Sequence, residues 1–277
     1  MATLSVVVIT YNEERNIERC LRSIRWADEI IVVDSFSDDR TVEIAKRFTK
    51  NIVSHVYDGE VPQRESGFAI ARGEWLFWID ADEEVSTDLK DSMIKTLHSP
   101  DALDGYSVPR KMWAFGKWIE HGGWSPDWQF RLVRKNKYIA EYQEIHGGFS
   151  TSGTKGNLSG YLYHYTYNDI SEYLRKMNDQ TSLHVSNKLR DDPSINIHWH
   201  NLILNPLSDF IRTFFSKQGY KDGMHGFVLA ACSALYNLLV YAKTWEYRFR
   251  QKERKDVLSP ITNAAVQQVK RKYSTTG

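Results

Sequence analysis

Cysteine is scarce in this sequence, and glycine-rich phosphate loops are missing. Cys20 and Cys232 are the only cysteines among 277 residues, and two isolated thiols provide neither the ligand spacing of a zinc site nor a disulfide framework. We therefore expect a protein of a reducing compartment. No GxGxxG follows the first apolar run and no GxxxxGKS/T occurs at any position, which argues against a dinucleotide-dependent dehydrogenase and a P-loop NTPase.

Long apolar runs are missing as well. The run at residues 4–9 is too short for the apolar part of a signal peptide and has no basic leader, so we expect no signal peptide. Residues 226–242 form an uncharged stretch of 17 residues, whereas a membrane-spanning helix needs about 20 predominantly apolar residues. We interpret the stretch as one arm of a helical hairpin that lies on or dips into a membrane surface. The alternative is a helical pair that packs on the rest of the protein or on a second subunit.

Charge is unevenly distributed along the chain. The formal net charge is +1, but residues 243–277 contain nine Lys and Arg against three acidic residues, a net of +6, so the remainder carries −5. A basic tail on an acidic body predicts an anionic partner, either a phospholipid surface or a nucleic acid. Because Trp245 and Tyr247 accompany the basic residues, as at a membrane interface, we favour phospholipid and expect no nucleic acid partner. A solvated helix end is the alternative.

Apolar strand patterns alternate with helical patterns over the first hundred residues. Continuous apolar runs are typical of strands buried on both faces. The alternation predicts a doubly wound, mostly parallel sheet with helices on both faces. The predicted strands are Ser5–Ile9, Glu29–Val33, Asn51–Val56 and Trp75–Ile79. The predicted helices are Glu14–Arg25, Thr41–Phe48, Gln63–Ala71 with Gly73 as its C-cap, and one capped by Ser86 with Leu89, Met93 and Leu97 on its inner face.

Polar and acidic residues follow three of these strands. They are residues 10–13 (TYNE), residues 34–39 (DSFSDD) and residues 80–82 (DAD). Because ligands bind outside the carboxyl ends of the strands in such sheets, we expect these segments to converge on one site. If the chain stays extended, Asp80 and Asp82 project from the same side and Ala81 leaves room between them. Without a phosphate loop, a diphosphate needs a cation, so we predict Mg²⁺ or Mn²⁺ on these carboxylates.

These motifs resemble glycosyltransferase family 2. The segments that carry the resemblance are residues 4–13 (LSVVVITYNE), 31–35 (IVVDS) and 73–83 (GEWLFWIDADE), in the family's order and spacing. The resemblance implies a GT-A-type α/β fold, to which we add a C-terminal helical region that associates with the membrane. The later part is similar to the branch that adds sugars to the lipopolysaccharide inner core, a β-glucosyltransferase-like group, through Pro126–Leu132, Leu162–His164 and Gly219–Gly223.

The resemblance also implies roles for individual residues at the donor site. Those implied to contact the nucleotide-sugar are Thr10, Tyr11, Glu13, Asp34, Ser35, Gln63, Arg64, Asp80 and Ala81. Ser35 stands where many members have a second Asp. Asp82 is implied to ligate the metal directly, Asp80 to be shared between ribose and metal, and His164 to complete the metal site. A hydrogen-bonded core histidine is the alternative for His164.

Transfer needs a base, because an acceptor hydroxyl has a very high pKa. Family 2 members invert the anomeric centre with an Asp or Glu as the base, and the candidates here are Asp127 and Glu144. We favour Asp127, since its aromatic neighbours could form an acceptor platform and partly desolvate it. The acceptor-side candidates are Trp124, Trp128, Arg131 and His146, the last followed by Gly147 where related sequences often have Glu. The alternatives are a loop salt bridge for either carboxylate and a strand-edge ion pair for Arg131.

Two further segments have an unusual composition. Residues 112–128 contain five aromatic residues of large size and three glycines, a pattern that favours a lid or an acceptor wall, with core packing as the alternative. An apolar helical stripe with a polar opposite face then begins near Ile203, with Pro206 in its first turn, and Gly219–Gly223 interrupts the helix. The stripe comprises Ile203, Leu207, Phe210, Ile211 and Phe214, and the opposite face comprises Asn205, Ser208, Asp209 and Arg212.

These observations predict three regions and one favoured function. Residues 1–98 form the nucleotide-sugar half of a catalytic domain, residues 99–200 its acceptor side, and residues 201–277 a helical, basic region. We predict a metal-dependent, inverting hexosyltransferase that moves a sugar from a UDP-sugar onto a lipid-linked glycan such as lipopolysaccharide core, at the inner face of the cytoplasmic membrane. The alternatives are a sugar-phosphate nucleotidyltransferase, whose glycine- and basic-rich N-terminal loop is missing after Ile9, and a non-catalytic protein that binds nucleic acid or membrane.

Overall fold

The first apolar run forms the central strand of a sheet in the computed structural model, which describes residues 2–142, 148–192 and 194–253. Four strands pair in parallel in the order β3-β2-β1-β4. They are β1 (Leu4–Thr10), β2 (Glu29–Asp34), β3 (Asn51–Ser54) and β4 (Trp75–Asp80). Each predicted strand is confirmed to within one or two residues, because continuous apolar runs are stable only where both faces of the sheet are covered.

Helices cover both faces of these strands. The helices are α1 (Ile17–Ser23), α2 (Thr41–Ala45), α3 (Glu60–Ile70) and α4 (Thr87–Leu97). One core joins β1 to α1, α2 and α4, and a second core on the other face joins Val7 and Val33 to Val61 and Phe68 of α3. The helices on both faces are therefore confirmed. Each side of the sheet buries a separate set of apolar side chains, which stabilises the layers by the hydrophobic effect.

Two predicted helix ends had different outcomes. Ser86 caps α4 as predicted, since its Oγ accepts a hydrogen bond from the Leu89 amide at 3.2 Å. The prediction that Gly73 is a helix C-cap is wrong, because α3 ends at Ile70 and Ala71 follows in an extended conformation. Gly73 is needed for close approach instead. A Cβ there would lie 2.5 Å from the backbone nitrogen of Ser5.

The later strands make the sheet mixed. Its order continues as β4-β8-β6-β12-β5, with β8 antiparallel to β4 and to β6, and with β5 antiparallel to β12. The strands are β5 (Glu83–Val85), β6 (Gly105–Ala114), β7 (Lys117–Ile119), β8 (Asp127–Arg134), β9 (Tyr138–Glu141), β10 (Gly148–Thr151), β11 (Lys155–Asn157) and β12 (Leu162–Tyr167). A short 3₁₀ helix, Lys135–Lys137, precedes β9, which pairs with β10 in a separate two-stranded sheet.

The described chain divides into two units. One unit contains residues 2–111 and 126–165, and the other contains residues 112–125 and 166–253. The second unit is formed by the hairpin of residues 112–119 and by the helices α5 (Ile170–Asp191), α6 (Asn201–Ile211) and α7 (Met224–Glu253). A π-helical turn, Arg212–Ser216, and a 3₁₀ turn, Gly219–Asp222, connect α6 to α7. The three functional regions predicted above follow other boundaries and remain a prediction.

Helices α6 and α7, the helical hairpin, differ from the sequence prediction at one point. α6 begins at Asn201, so Pro206 lies inside the helix and the first-turn prediction is wrong. The apolar stripe is present but largely faces outward, since Leu207 is 52% exposed while Asp209 on the polar side is buried at 6%. Residues 224–251 of α7 have the length and apolar composition of a membrane-spanning helix, and only 22% of the most apolar window is buried.

Candidate active site

Three strand ends meet at one edge of the sheet, as predicted from the chain order. The register pairs Thr10 with Asp34 across β1 and β2, and it pairs Ile9 with Asp80 across β1 and β4. The backbone amide of Ser35 donates to the carbonyl of Thr10 at 2.9 Å, and the amide of Ala81 donates to the carbonyl of Ile9 at 3.2 Å. Because β1 lies between β2 and β4, its carboxyl end is the centre of the candidate site.

A buried polar chain lies behind the end of β2. The Gln63 amide nitrogen Nε2 donates to Ser35 Oγ at 2.8 Å, and Gln63 Oε1 is 2.9 Å from His55 Nδ1. Ser35 is 2% exposed and Gln63 is fully buried. His55 was not among the predicted site residues. Its signal was its position directly after β3, at the same carboxyl edge as the other strand ends.

The loop after β1 is held by the loop after β2. The Asn12 amide donates to Ser37 Oγ at 2.9 Å, and Ser37 in turn donates to Asp34. The Glu13 amide donates to Thr41 Oγ1 at 2.8 Å. Thr10 Oγ1 is buried and has no hydrogen-bond partner among the residues that the structure describes. An orphaned hydroxyl at a strand end is expected to meet a ligand or a water there.

Asp80 is clamped between two arginines. Arg64 Nη2 donates to its Oδ1 at 2.7 Å and Arg131 Nη2 donates to its Oδ2 at 3.1 Å. Both guanidinium groups are buried, with 5% and 4% of their side chains exposed. Burial opposes ionisation of Asp80, but Arg64 and Arg131 outweigh it and hold the pKa of this carboxyl well below its usual range. Both of its oxygens are therefore engaged as a permanent anion.

A turn separates Asp80 from Asp82. β4 ends at Asp80 and β5 begins at Glu83, so the condition under which both aspartates would project from the same side, an extended chain, is not met. The fully buried Glu83 stabilises the turn, since its Oε2 accepts from the Asp80 amide at 3.0 Å. Its Oε1 accepts from Arg131 Nη2 at 3.2 Å and from Arg110 Nη1 at 3.3 Å. This turn directs the two aspartates to different partners.

Asp82 faces His164. Asp82 Oδ2 lies 3.3 Å from His164 Nε2, and the two side chains are 17% and 16% exposed. Burial lowers the pKa of His164, but the Asp82 carboxylate outweighs it, so the net shift is upward. The Tyr165 amide donates to the Asp82 carbonyl at 2.9 Å, which ties the turn to β12. The structure thus brings together the two residues that the resemblance implied as metal ligands.

This pair fits a divalent cation by its chemistry and spacing. Carboxylate and imidazole donors bind cations at about 2.0–2.2 Å, and two donors on one ion are about 3 Å apart. The separation of 3.3 Å is close to that value. Within the described residues no group of three or more His, Cys, Asp and Glu converges on such a position. The protein would then supply Asp82 and His164, and phosphate oxygens and water would complete the coordination.

Asp127 forms an ion pair with Arg110. Arg110 Nη2 and Nε donate to Asp127 Oδ2 at 2.6 and 3.1 Å, and Gln129 Nε2 donates to both carboxylate oxygens at 2.9 Å. The salt bridge that the sequence analysis gave as the alternative for Asp127 is therefore observed. Arg131 bridges Asp80 and Glu83, so the ion pair given as its alternative is observed, and its acceptor-side role stays a prediction. Arg110 was missed, although it occupies the strand position paired with Asp127.

The remaining acceptor candidates are not brought together in one unit. Trp128 lies on β8 in the first unit and is 49% exposed. Trp124 belongs to the second unit, where it and Phe115 pack against an apolar cluster. Core packing, the alternative given for this aromatic segment, is therefore observed for these two rings. Glu144 and His146 lie outside the described residues, and their roles stay predictions.

Comparison with known proteins gives a family and several relatives. The model of the family described as "Glycosyl transferase family 2" matches residues 5–154, more than half of the chain. A lipopolysaccharide core biosynthesis glycosyltransferase, LpsC of Rhizobium meliloti, is 26% identical over 255 residues, covering 88% of this chain and 92% of that protein. An uncharacterized glycosyltransferase of Rickettsia typhi is 26% identical and covers 91% of this chain and 90% of its own.

Solved structures are also similar in part. Glucosyl-3-phosphoglycerate synthase from Mycobacterium tuberculosis, crystallised with Mg²⁺ and UDP, is 26% identical, with a TM-score of 0.35 over 39% of this chain and 43% of that chain. TarS of Staphylococcus aureus, residues 1–349, is 14% identical, with a TM-score of 0.43 over 93% of each chain. The family match and the observed sheet agree with the predicted GT-A-type α/β fold, and the chain belongs to glycosyl transferase family 2.

Proposed function

We propose that this glycosyltransferase moves a hexose from a UDP-sugar onto a lipid-linked glycan such as lipopolysaccharide core, with inversion at the anomeric carbon and with Mg²⁺ or Mn²⁺. The observation that carries the proposal is the Asp82–His164 pair, 3.3 Å apart, beside the strand ends that contain Thr10, Asp34 and Asp80. The similarity to LpsC supports the class of acceptor, because that relative acts in lipopolysaccharide core biosynthesis.

The donor nucleotide is proposed to lie across the ends of β1, β2 and β4. Tyr11 and Glu13 follow β1, and Thr10 presents the orphaned hydroxyl described above. Asp34, Ser35 and Gln63 form the polar floor under this edge, and Ala81 is at the turn. Asp80, Arg64 and Arg131 keep a fixed charge pattern there. Such a prearranged network needs little reorganisation when a charged substrate binds.

The cation would be held by Asp82 and His164. When bound, it would neutralise charge on the diphosphate leaving group. Arg110 and Arg131 are already paired with Glu83, Asp80 and Asp127, so the cation would complement these two arginines. Their bonds hold the turn that presents Asp82.

Proton removal from the acceptor is assigned to Asp127, with Glu144 as the second candidate. Arg110 donates twice to Asp127 Oδ2, so Asp127 has to exchange Arg110 for the acceptor hydroxyl before that oxygen accepts the proton. Gln129, which also donates to Asp127, would hold the carboxylate during that exchange. The acceptor itself is expected beside Trp128, with Trp124 and His146 as further candidates. The enzyme is proposed to act at the inner face of the cytoplasmic membrane.

Thermal unfolding with UDP and Mn²⁺, separately and together, tests donor and metal binding. We expect UDP to raise the midpoint strongly only when Mn²⁺ is present, because a ligand that binds the folded state stabilises it. Asp82→Ala should remove this cooperation, and Asp101→Ala, an exposed aspartate of the same unit, should leave it unchanged. A screen of UDP-sugars against extracted lipid-linked glycans then identifies the donor. No nucleotide response in any combination would refute the proposal.

A further inference from the structure

Helices α6 and α7 pack together with a polar contact between them. Asp209 of α6 is 6% exposed, and its carboxylate accepts a hydrogen bond from Ser233 Oγ of α7 at 2.6 Å. Phe210 and Phe214 contact Phe227 edge-to-face, with ring centroids 5.6 and 5.7 Å apart. In a water-soluble pair of helices the polar groups face solvent and the apolar groups face each other. Asp209 departs from this pattern, because its charged side chain is buried between the two helices.

The outward side of α6 is apolar. Its exposed residues follow a helical repeat along one face, with 46–56% of each residue exposed, and they are Ile203, Leu204, Leu207 and Ile211. Phe215 extends this face into the π-helical turn and is 57% exposed. At about 25 cal/mol per Å² of apolar surface, leaving five such side chains in water is unfavourable. A covering partner is therefore expected.

The outward side of α7 continues the apolar surface. Its exposed apolar residues, 36–73% exposed, are Met224, Phe227, Leu235, Trp245 and Phe249. With 3.6 residues per turn these positions lie on one side of the helix, over a length of about 37 Å at 1.5 Å per residue. These exposed apolar residues of α6 and α7, together with Phe215, are called the hairpin face.

The charges around the hairpin face are cationic. Lys217 and Lys221 are exposed at the connection between the helices, and Arg250 is exposed near the end of α7. Two acidic residues of the same segment, Asp209 and Asp222, are buried. Glu246 is paired with Arg250 at 2.7 Å. Apolar side chains bordered by lysine and arginine are typical of helices that lie in the interface of an anionic bilayer.

The inward side of α7 excludes full insertion. Leu229, Ala230 and Val240 are buried within the unit. Lys243 Nζ donates to Thr181 Oγ1 and Ser182 Oγ of α5, each at 2.8 Å. α5 is a polar, charged helix, and a spanning helix cannot keep such a neighbour in the hydrocarbon core. Only one side of α7 is therefore free to meet lipid.

We infer that the hairpin face is a membrane-binding surface, with α6 and α7 parallel to the plane of an anionic phospholipid bilayer and their outward side chains among the acyl chains. This surface would account for the proposed membrane location. It needs neither the UDP-sugar nor the metal. The hairpin connection and the end of α7 would place their basic residues at the headgroups.

The test is sedimentation of the full-length protein with sucrose-loaded vesicles of 70% phosphatidylcholine and 30% phosphatidylglycerol. The double variant Leu207→Gln/Ile211→Gln should lower the partition coefficient by about tenfold or more, because two half-exposed apolar side chains no longer leave water. The matched control is Ile170→Gln/Leu174→Gln on α5, which has the same residue types at the same spacing and similar exposure, 49% and 42%. Its partition coefficient should stay within twofold of the parent value.

Other outcomes would overturn the inference. An equal fall in both double variants would mean that the α6 positions have no special role. Unchanged vesicle binding together with loss of a dimer, measured by light scattering after gel filtration, would assign the face to a second copy of the chain. All four positions are exposed, so circular dichroism should give parent-like melting of each variant. Asp82→Asn should bind vesicles like the parent, which separates this inference from the proposed function.

Discussion

The two aspartates of the Asp80-Ala81-Asp82 motif have different roles because they contact different side chains. Asp80 is held by two buried guanidinium groups and its pKa is depressed, so it is a permanent structural anion. Asp82 faces the partly buried His164, whose Nε2 lies 3.3 Å from Asp82 Oδ2. We expect a ligand to displace His164 more easily than the arginines of Asp80, because His164 is more exposed than the two guanidinium groups. The contrast gives different expectations for the two positions.

Asp80→Asn should lower the free energy of unfolding by about 3 kcal/mol, because it removes one member of a buried ionic network. Asp82→Asn should lower it by no more than about 1 kcal/mol, since its pair with His164 is partly solvated. Urea denaturation of the two variants measures both values. Equal losses would show that the arginine clamp does not distinguish them.

Asp127→Asn should leave Mn²⁺-dependent UDP binding within twofold and reduce kcat by about 10²–10⁴-fold, the usual contribution of a general base. Single-turnover transfer with saturating donor measures the chemical step. Gln129→Met, which removes a donor to the same carboxylate without changing charge, should have a much smaller effect on kcat. Parent-like transfer by Asp127→Asn would move the base elsewhere, with Glu144 next to be tested.

At the scale of elements, the turn before β12 and the start of α4 approach each other closely. Gly160 has a φ of +90°, and a Cβ there would lie 2.1 Å from the backbone nitrogen of Leu89. The Tyr161 amide beside it donates to Ser86 Oγ at 2.9 Å. The same hydroxyl caps α4, so one side chain joins the helix to the strand that contains His164. The contact therefore helps to position the strand that contains His164, a member of the proposed metal pair.

Gly160→Ala should lower the free energy of unfolding by about 3 kcal/mol or more, since it adds a backbone clash to the strain of a positive φ. Gly59→Ala is the control, because Gly59 also has a positive φ, +111°, but its Cβ would find only Pro62 at an ordinary 3.7 Å. We expect about 1 kcal/mol there. Chemical denaturation of both variants separates the effect of the backbone clash from that of the positive φ. Similar losses of unfolding free energy in the two variants would contradict the close approach at Gly160.

At the scale of the whole molecule, positive charge and exposed apolar side chains are concentrated toward the C-terminus. Residues 254–277 contain five Lys and Arg against one Asp, and they follow the hairpin face directly. Lys243 and the buried Thr244 belong to the packing of α7, so the removable part of the basic tail begins after them. A membrane location would then combine an apolar contribution from the hairpin with an electrostatic contribution from the tail.

Truncation after Glu253 should weaken binding to the anionic vesicles by about tenfold or more at low salt, since each basic residue near such a surface contributes about 1 kcal/mol. At 0.5 M salt the difference from the parent should shrink below about threefold, because screening removes the contribution of the tail. Vesicle sedimentation at both salt concentrations measures this. A loss that does not depend on salt would show that the tail does not act through its charge.

The order of β1 to β4 and of the helices α1 to α4 was predictable from the sequence, because β1, β2 and β4 are largely apolar runs and each of these helices has an apolar face. The meeting of the three polar strand ends followed from parallel topology alone. The family also came from the sequence, through short motifs and their spacing, and the resemblance implied that Asp82 and His164 share a metal site. These features depend on neighbours in the chain or on a fixed rule of sheet connection.

Only the tertiary structure decided which side chains pair. The turn at Ala81, the clamp on Asp80 and the pairing of Asp127 with Arg110 join residues far apart in the chain, so local patterns contain no record of them. The same holds for α6, where hydrophobic periodicity predicted the stripe but not its direction. Periodicity shows that a helix has an apolar face, whereas the neighbour of that face is set by the rest of the fold. Here α7 contacts Asp209 together with Phe210 and Phe214, and the rest of the stripe, Ile203, Leu207 and Ile211, is exposed.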